Sequence, residues 1–237
     1  MSTSHQNDNH PFQKLGAQVL GCGAIGLLVT CLAYVLAGPE AALPGGATNS
    51  AQALAATPNA VGWMRLAGWV GVPSDALLAV GAWMLAMQAH RHQAALAGAG
   101  WMGLAIAGVV FIAVDAMVAM VLPVVAMVKG IQADWVPVAY APVRALFDAL
   151  FTFGAWIAGA SALALMWRRE GHALCAHWVV WTMKGAGAVC VLSSTAHLVL
   201  ARGAEAIGPG IALLAVASVG VAWSHVKAAN QFVLPNA

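Results

Sequence analysis

The chain has 237 residues, of which 62% are hydrophobic and only 8% charged, and its formal net charge is +2. A soluble domain carries about a quarter charged residues, so composition excludes a water-soluble globular fold, as does the mean hydropathy of +0.82. The small net charge and the lack of a basic tract exclude nucleic acid as a partner; the solvent that fits is a lipid bilayer.

In hydrocarbon every backbone N–H and C=O must find a partner within its own segment, so a span is a helix of about 20 apolar residues. Six such runs occupy residues 15–37, 61–90, 95–127, 141–167, 174–200 and 206–226. The predicted fold is all-α: a polytopic membrane protein whose six transmembrane helices form one domain over residues 15–226. A polar N-terminal tail, residues 1–14, precedes it, and a C-terminal tail, residues 227–237, follows. The first run is longer than the apolar core of a signal peptide, which is about 7–15 residues, so it is expected to be retained as a span.

The longest link, residues 38–60, is rich in Pro, Gly, Ala, Asn and Thr and is expected to face outwards, as an ordered cap or a mobile loop. The second run carries the order Val-Gly-Val-Pro-Ser-Asp over residues 70–75. Pro73 removes a backbone donor, and Ser74 and Asp75 are residue types that start helices. One reading is a single kinked span over 61–90. The other, preferred here, is a short interfacial helix over 61–69 followed by a span from 74 to 90, with Ser74 or Asp75 as its cap. Pro123 is expected to end or kink the third run.

Glycines and alanines punctuate the runs, among them Gly16, Gly21, Gly23, Gly26, Gly98, Gly100, Gly103, Ala155 and Gly159. Small residues let membrane helices approach closely, so these positions mark packing seams. Trp63, Trp69, Trp135, Trp167, Trp178 and Trp181 fall near run ends, where an aromatic belt sits. Cys22, Cys31, Cys175 and Cys190 show no zinc or redox spacing and are expected to be small packing residues.

Charge sets the expected orientation. Lys14, Arg91, Arg168, Arg169 and Lys227 collect at one end of the runs. Lys129 and Arg202 collect at the other, with Arg65 and Arg144 near its edge. The positive-inside rule then places both termini in the cytoplasm, in agreement with the even number of runs.

Ionisable residues inside a membrane are costly and are functional candidates by default. Asp75, Asp115, Arg144, Asp148 and His197 fall at similar depth in the outer half, and Lys184 lies towards the inner half. Arg144 and Asp148 are four apart, so they share a helix face and can pair. These outer-half residues are expected to form a polar cluster opening outwards and binding a small solute or ion, with Arg144 and Asp148 facing inwards and meeting at least one of Asp75, Asp115 and His197. The structural counterpart of that reading makes Asp75 a helix cap, Arg144 a snorkelling partner of Asp148, and Asp115 a hydrogen-bonding link to a neighbouring helix. Histidines gather at the inner ends; His177 and His225 are the pair best placed to ligate a haem b. No haem-attachment, zinc-protease, phosphate-loop or dinucleotide motif of useful specificity occurs.

Residues 45–78 contain Gly-Gly-Ala-Thr-Asn-Ser, then Ala-Ala-Thr-Pro-Asn, then Arg-Leu-Ala-Gly-Trp and Ser-Asp-Ala-Leu-Leu. In these positions, after a first span and a long outer loop, the chain resembles a group of uncharacterised bacterial six-helix membrane proteins known as a domain of unknown function. The resemblance implies a six-helix bundle and no activity. Three functions remain open at this level. The first is a non-enzymatic bundle of the cell inner membrane that handles a small solute or ion or associates with partner membrane proteins. The second is a redox subunit holding haem on the inner-side histidines, and the third is an accessory subunit of a larger complex or homo-oligomer.

Overall fold

A computed structural model of the chain describes residues 10–47, 49–128, 135–167 and 173–231. Lys129, Arg168, Arg169 and His172, the link over 168–172 and the outer parts of both tails lie outside the described residues. Helix α1 (His10–Ala37) is followed by the single turn α2 (Pro39–Ala42) and by α3 (Ser50–Arg91). Helix α4 (Ala95–Ala116) passes through a π-helical turn (Met117–Val121) into α5 (Leu122–Ala126). Helices α6 (Val136–Trp167), α7 (His177–Leu200) and α8 (Ile207–Gln231) complete the chain. Six helical stretches are long and apolar enough to cross a membrane, and the protein is a multi-pass helical bundle.

The spans close a ring. Helix α1 packs on α3, α3 on α4, α4 on α6, α6 on α7, α7 on α8, and α8 returns to α1. A glycine sits at the tightest point of each seam. A Cβ at Gly81 or Gly23 would overlap the backbone of the facing helix at the α1–α3 seam, and one at Gly68 would do so between α3 and α4. Gly100 faces Leu165 between α4 and α6, and a Cβ at Gly159 would lie 2.7 Å from the Gly187 carbonyl oxygen between α6 and α7. A Cβ at Gly210 would lie 2.8 Å from Cys190 Sγ between α7 and α8, and one at Gly21 would lie 3.2 Å from Ala222 Cβ between α8 and α1. Lipid tails are as apolar as leucine, so helices in a bilayer gain mainly from van der Waals contact, which requires this closeness.

Helix α3 corrects two expectations. It has 42 residues, or about 63 Å at about 1.5 Å per residue, twice the roughly 30 Å hydrocarbon core. It runs unbroken through Pro73, so no interfacial helix ends at Trp69, and Ser74 and Asp75 are interior residues rather than caps. The Ser74 hydroxyl donates back to the Val70 carbonyl at 2.6 Å. The physical reason is a comparison of costs. A proline inside a helix costs about 3 kcal/mol, whereas ending a helix within hydrocarbon would strand up to eight backbone groups at several kcal/mol each. The expected link over 38–60 is likewise shorter than its composition suggests. Asn49 caps α3, its side chain accepting from the Gln52 N–H at 2.9 Å, and residues 50–60 are already helical.

Arg65 and Arg91 lie about 39 Å apart along α3, more than the roughly 30 Å hydrocarbon core, and the first turns of α3 precede Arg65. There they meet α2 and the start of α6 in a small cap, where Thr57 Oγ1 and Tyr140 Oη are hydrogen-bonded at 2.8 Å and Gln52 Nε2 donates to Glu40 Oε1 at 2.8 Å. We call this the distal end, and the opposite one, where α1 begins and α8 finishes, the terminal end. Trp63, Trp69, Trp135, Trp167, Trp178 and Trp181 are exposed, as a belt residue should be. The four cysteines are free thiols.

The π turn has a local cause. The Leu122 N–H bonds back five residues to the Met117 carbonyl, and Pro123 has no N–H to offer Ala119, so the α-helical register breaks one turn after Asp115.

The seams generate a prediction. Gly81→Val should lower the unfolding midpoint in detergent by an amount equivalent to about 1–3 kcal/mol, the usual cost of overpacking. Gly185→Val, where a Cβ meets nothing within 4 Å, should leave it unchanged. Equal effects of the two would show that the close seams do not hold the ring.

Candidate functional site

Asp75 on α3 and Asp115 on α4 face each other inside the ring, 1% and 3% exposed. Glycine permits the meeting. Gly71 lies one turn before Asp75, and a Cβ there would overlap Asp115 Oδ2. Gly108 lets α4 approach the Asp75 carbonyl oxygen to 2.9 Å of where its Cβ would be. Tyr34 of α1 donates its hydroxyl to Asp115 Oδ1 at 2.5 Å, and its ring packs edge-on to Phe151 at 6.0 Å. The two carboxyl groups border the same cavity. Both oxygens of Asp75 and Oδ2 of Asp115 are nevertheless buried without a donor. Ionised carboxylates only accept hydrogen bonds, so the contact between them lacks a hydrogen or a cation.

The pair borders a cavity of about 130 Å³. Its lining comes from Thr30, Cys31 and Tyr34 of α1, from Phe111 and Phe151, and from Leu43 and Pro209 at the distal end. A smaller space of about 20 Å³ lies on the other side of Asp75, towards the terminal end, among Leu78, Leu104, Leu214 and Ser218. Asp75 therefore stands between two spaces strung along the ring axis. Among the described residues no Lys, Arg or His lines either one. The Thr30 hydroxyl is committed to the Gly26 carbonyl at 3.1 Å.

The other three candidates form a second group nearer the distal end. Arg144 of α6 is 4% exposed. Its Nε lies 3.1 Å from Asp148 Oδ1. Its two remaining nitrogens donate to the Ala41 carbonyl at 2.6 Å and to the Leu43 carbonyl at 2.5 Å. His197 of α7 lies in the vicinity of Asp148. Arg144 thus fastens the link after α1 to α6, a use of its planar donor fork that a lysine cannot copy. The five residues divide into two groups, Arg144, Asp148 and His197 in one and Asp75 and Asp115 in the other. Aromatic rings join them: the Arg144 guanidinium lies 5.0 Å from the Phe147 ring centroid, Phe147 packs on Phe151 at 5.8 Å, and Phe151 packs on Tyr34 and, at 5.8 Å, on Phe111.

The histidines expected as a haem pair occupy separate settings. His177 Nε2 accepts from Trp181 Nε1 at 2.7 Å on the exposed first turn of α7. His225 Nδ1 is bonded to Gln13 Nε2 at 2.9 Å, and Gln13 Oε1 accepts from Gln88 Nε2 at 2.9 Å. The cavity that His225 borders is not lined by His177. Among the described residues, no three His, Cys, Asp or Glu side chains gather as a metal-binding group. Lys184 lies over the Trp181 ring at 5.6 Å, away from both acid groups.

Tyr34, Thr30 and Cys31 were not singled out by the sequence reading. The available signal was Thr30 and Tyr34 at helical spacing, on a helix whose face carries Gly23 and Gly26, so that polar groups sit where a neighbour must come close. No known protein family, curated protein or solved structure matches the chain.

Removing Arg144 should strand Asp148 and two carbonyls together. Arg144→Ala is expected to lower the unfolding midpoint, by somewhat less than the about 3–5 kcal/mol of a fully buried pair, because the Asp148 side chain is 30% exposed. Adding Asp148→Asn should recover part of the loss, and Arg144→Lys should not recover it. A double variant as unstable as the two losses summed would show that the charges act independently.

Proposed function

We propose that this protein is a non-enzymatic bundle of a bacterial inner membrane that handles a small cationic species through the cavity at Asp75 and Asp115. Both termini are placed in the cytoplasm, and the cap around α2 faces outwards. The observation that supports the function most strongly is Asp75 itself: an acid inside the bundle with both oxygens lacking a donor, at the border of a cavity. Estimates for a charge at mid-membrane start at about 2.5–3.5 kcal/mol, so such a residue without a partner is an expense a purely structural bundle does not need.

Size selects the kind of cargo. A cavity of about 130 Å³ is well below the roughly 300–1,000 Å³ of sites for drug-sized molecules. It holds an ion or a few waters. Sign selects the rest, because the cavity offers acceptor oxygens and no basic side chain among the described residues. Orientation rests on Lys14, Arg91 and Lys227 at the terminal end.

Two experiments check this reading. In proteoliposomes carrying proton-sensitive and cation-sensitive dyes, the wild-type protein should dissipate an imposed gradient of one of these ions. Asp75→Asn should abolish that flux while leaving the unfolding midpoint no lower, since the amide brings Asp115 a donor. Unchanged flux in the variant, or none of any ion in the wild type, would overturn the function. For orientation, in a variant with Cys22, Cys31, Cys175 and Cys190 replaced, a cysteine introduced at Ala47 should react with an impermeant maleimide from the periplasmic side. Reaction only from the cytoplasm would invert the topology.

A further inference from the structure

We infer that the species held at this site is a proton, shared between the carboxyl groups of Asp75 and Asp115 and exchanged with water through the cavity. The inference rests on the proposed handling of a cationic species and names that species.

Coordination argues first. Hard metal cations take about six or more oxygen ligands. The oxygens without a donor are both of Asp75 and Oδ2 of Asp115, with the Tyr34 hydroxyl beside them but already donating to Asp115. The Ser74 hydroxyl points back into its own helix, as does that of Thr30. The rest of the wall is largely apolar, with Leu27, Phe111, Phe151 and Ile211. A metal ion would keep most of its water shell here. A proton needs only two acceptors, and the two carboxyls supply them: both border one cavity, and Asp115 Oδ2 fills the room beside Gly71, one turn before Asp75.

Access argues second. Between Asp75 and the terminal end the ring leaves about 20 Å³, among leucines and Ser218. One water needs about 10–15 Å³ by the same kind of measure, so this space has room for one water at most and excludes a hydrated metal ion. A water there would lie beside Asp75 and could carry a proton onwards.

The groups that face the pair are few. Helix α1 presents Tyr34 and Cys31, α3 and α4 present the two acids, and α6 presents Phe151. Helix α8 presents Pro209, Ile211 and Ser218, and Cys190 of α7 lies near enough to Cys31 to influence it. None of these described groups is a cation, so no side chain among them neutralises the pair. In the loaded state one carboxylic acid donates to the other carboxylate, and Tyr34 donates to Asp115. In release the O–H bond breaks, the proton passes to a water in the cavity as hydronium, and the pair is left with one more negative charge.

The test is infrared difference spectroscopy on the full chain in lipid nanodiscs, titrated with pH, alongside the flux assay. The wild type should show one carboxylic acid C=O band in this pair, lost as pH rises and insensitive to sodium, potassium or lithium. Asp75→Asn and Asp115→Asn should each abolish the band, because the amide donates in place of the acid. Tyr34→Phe should keep the band and shift the pH at which it disappears. A band that survives in either Asn variant would mean an acid protonated independently, and would overturn the sharing. A band displaced by one of the metal ions, or no band at any pH at which the protein is folded, would overturn the proton while metal-ion flux in proteoliposomes left the cation reading standing. A band as expected with no flux of any ion would keep the shared proton and end the transport reading.

Discussion

The close approach of α3 to α1 and α4 is the constraint on which the rest of this molecule depends. It is set by missing side chains: Gly23 and Gly81 on one side of the helix, Gly68, Gly71 and Gly108 on the other. In water such contacts would add to a hydrophobic core already driven together. In a bilayer they are the main source of cohesion between helices. The same closeness brings two acids on different helices within reach of each other, because the room a Cβ would take at Gly71 is filled by the Asp115 carboxyl. Fold and candidate site therefore have one origin, and a larger residue at Gly71 would remove the site before it disturbed the ring.

The ring also explains why the polar residues separate. Arg144 sits where α6 meets the link after α1, and its donors are used up by Asp148 and two backbone carbonyls. It closes the distal end as a structural clasp. Asp75 and Asp115 lie deeper, behind Phe147 and Phe151, where no basic residue among the described ones reaches them. One group is compensated and one is not, and the uncompensated one is where a ligand gains by binding. Leu43 touches both: its carbonyl is held by Arg144, and the residue lines the cavity of the acid pair. The clasp thus positions part of the distal wall of the cavity.

Six spans, the packing role of glycine and the exposed tryptophans were legible in the sequence because each follows from local composition. Hydropathy over some 20 residues needs no knowledge of neighbours. The course of α3 was not legible, because Pro73-Ser74-Asp75 reads as a helix start in water, while hydrocarbon makes a break more expensive than an imperfect turn. The link over 38–60 was legible as an ordered cap or a loop, but that residues 50–60 already belong to α3 was not, because their helical course depends on packing against α2 and α6. Asp75, Asp115, Arg144, Asp148 and His197 were legible as intramembrane polar residues, but their division into two groups depends on which faces of α3, α4, α6 and α7 look inwards. Tyr34 was invisible as a partner for the same reason: only the seam between α1 and α3 turns it towards Asp115.

The most direct measurement of the central claim is a carbon–carbon correlation spectrum by solid-state NMR, on protein labelled at its aspartate carboxyl and tyrosine Cζ carbons in native-like lipid. The account expects a cross-peak between the carboxyl carbons of Asp75 and Asp115 and another from Asp115 to Tyr34, with the two carboxyl shifts moving together as pH changes. Two carboxyl resonances without a cross-peak, each titrating alone, would contradict it.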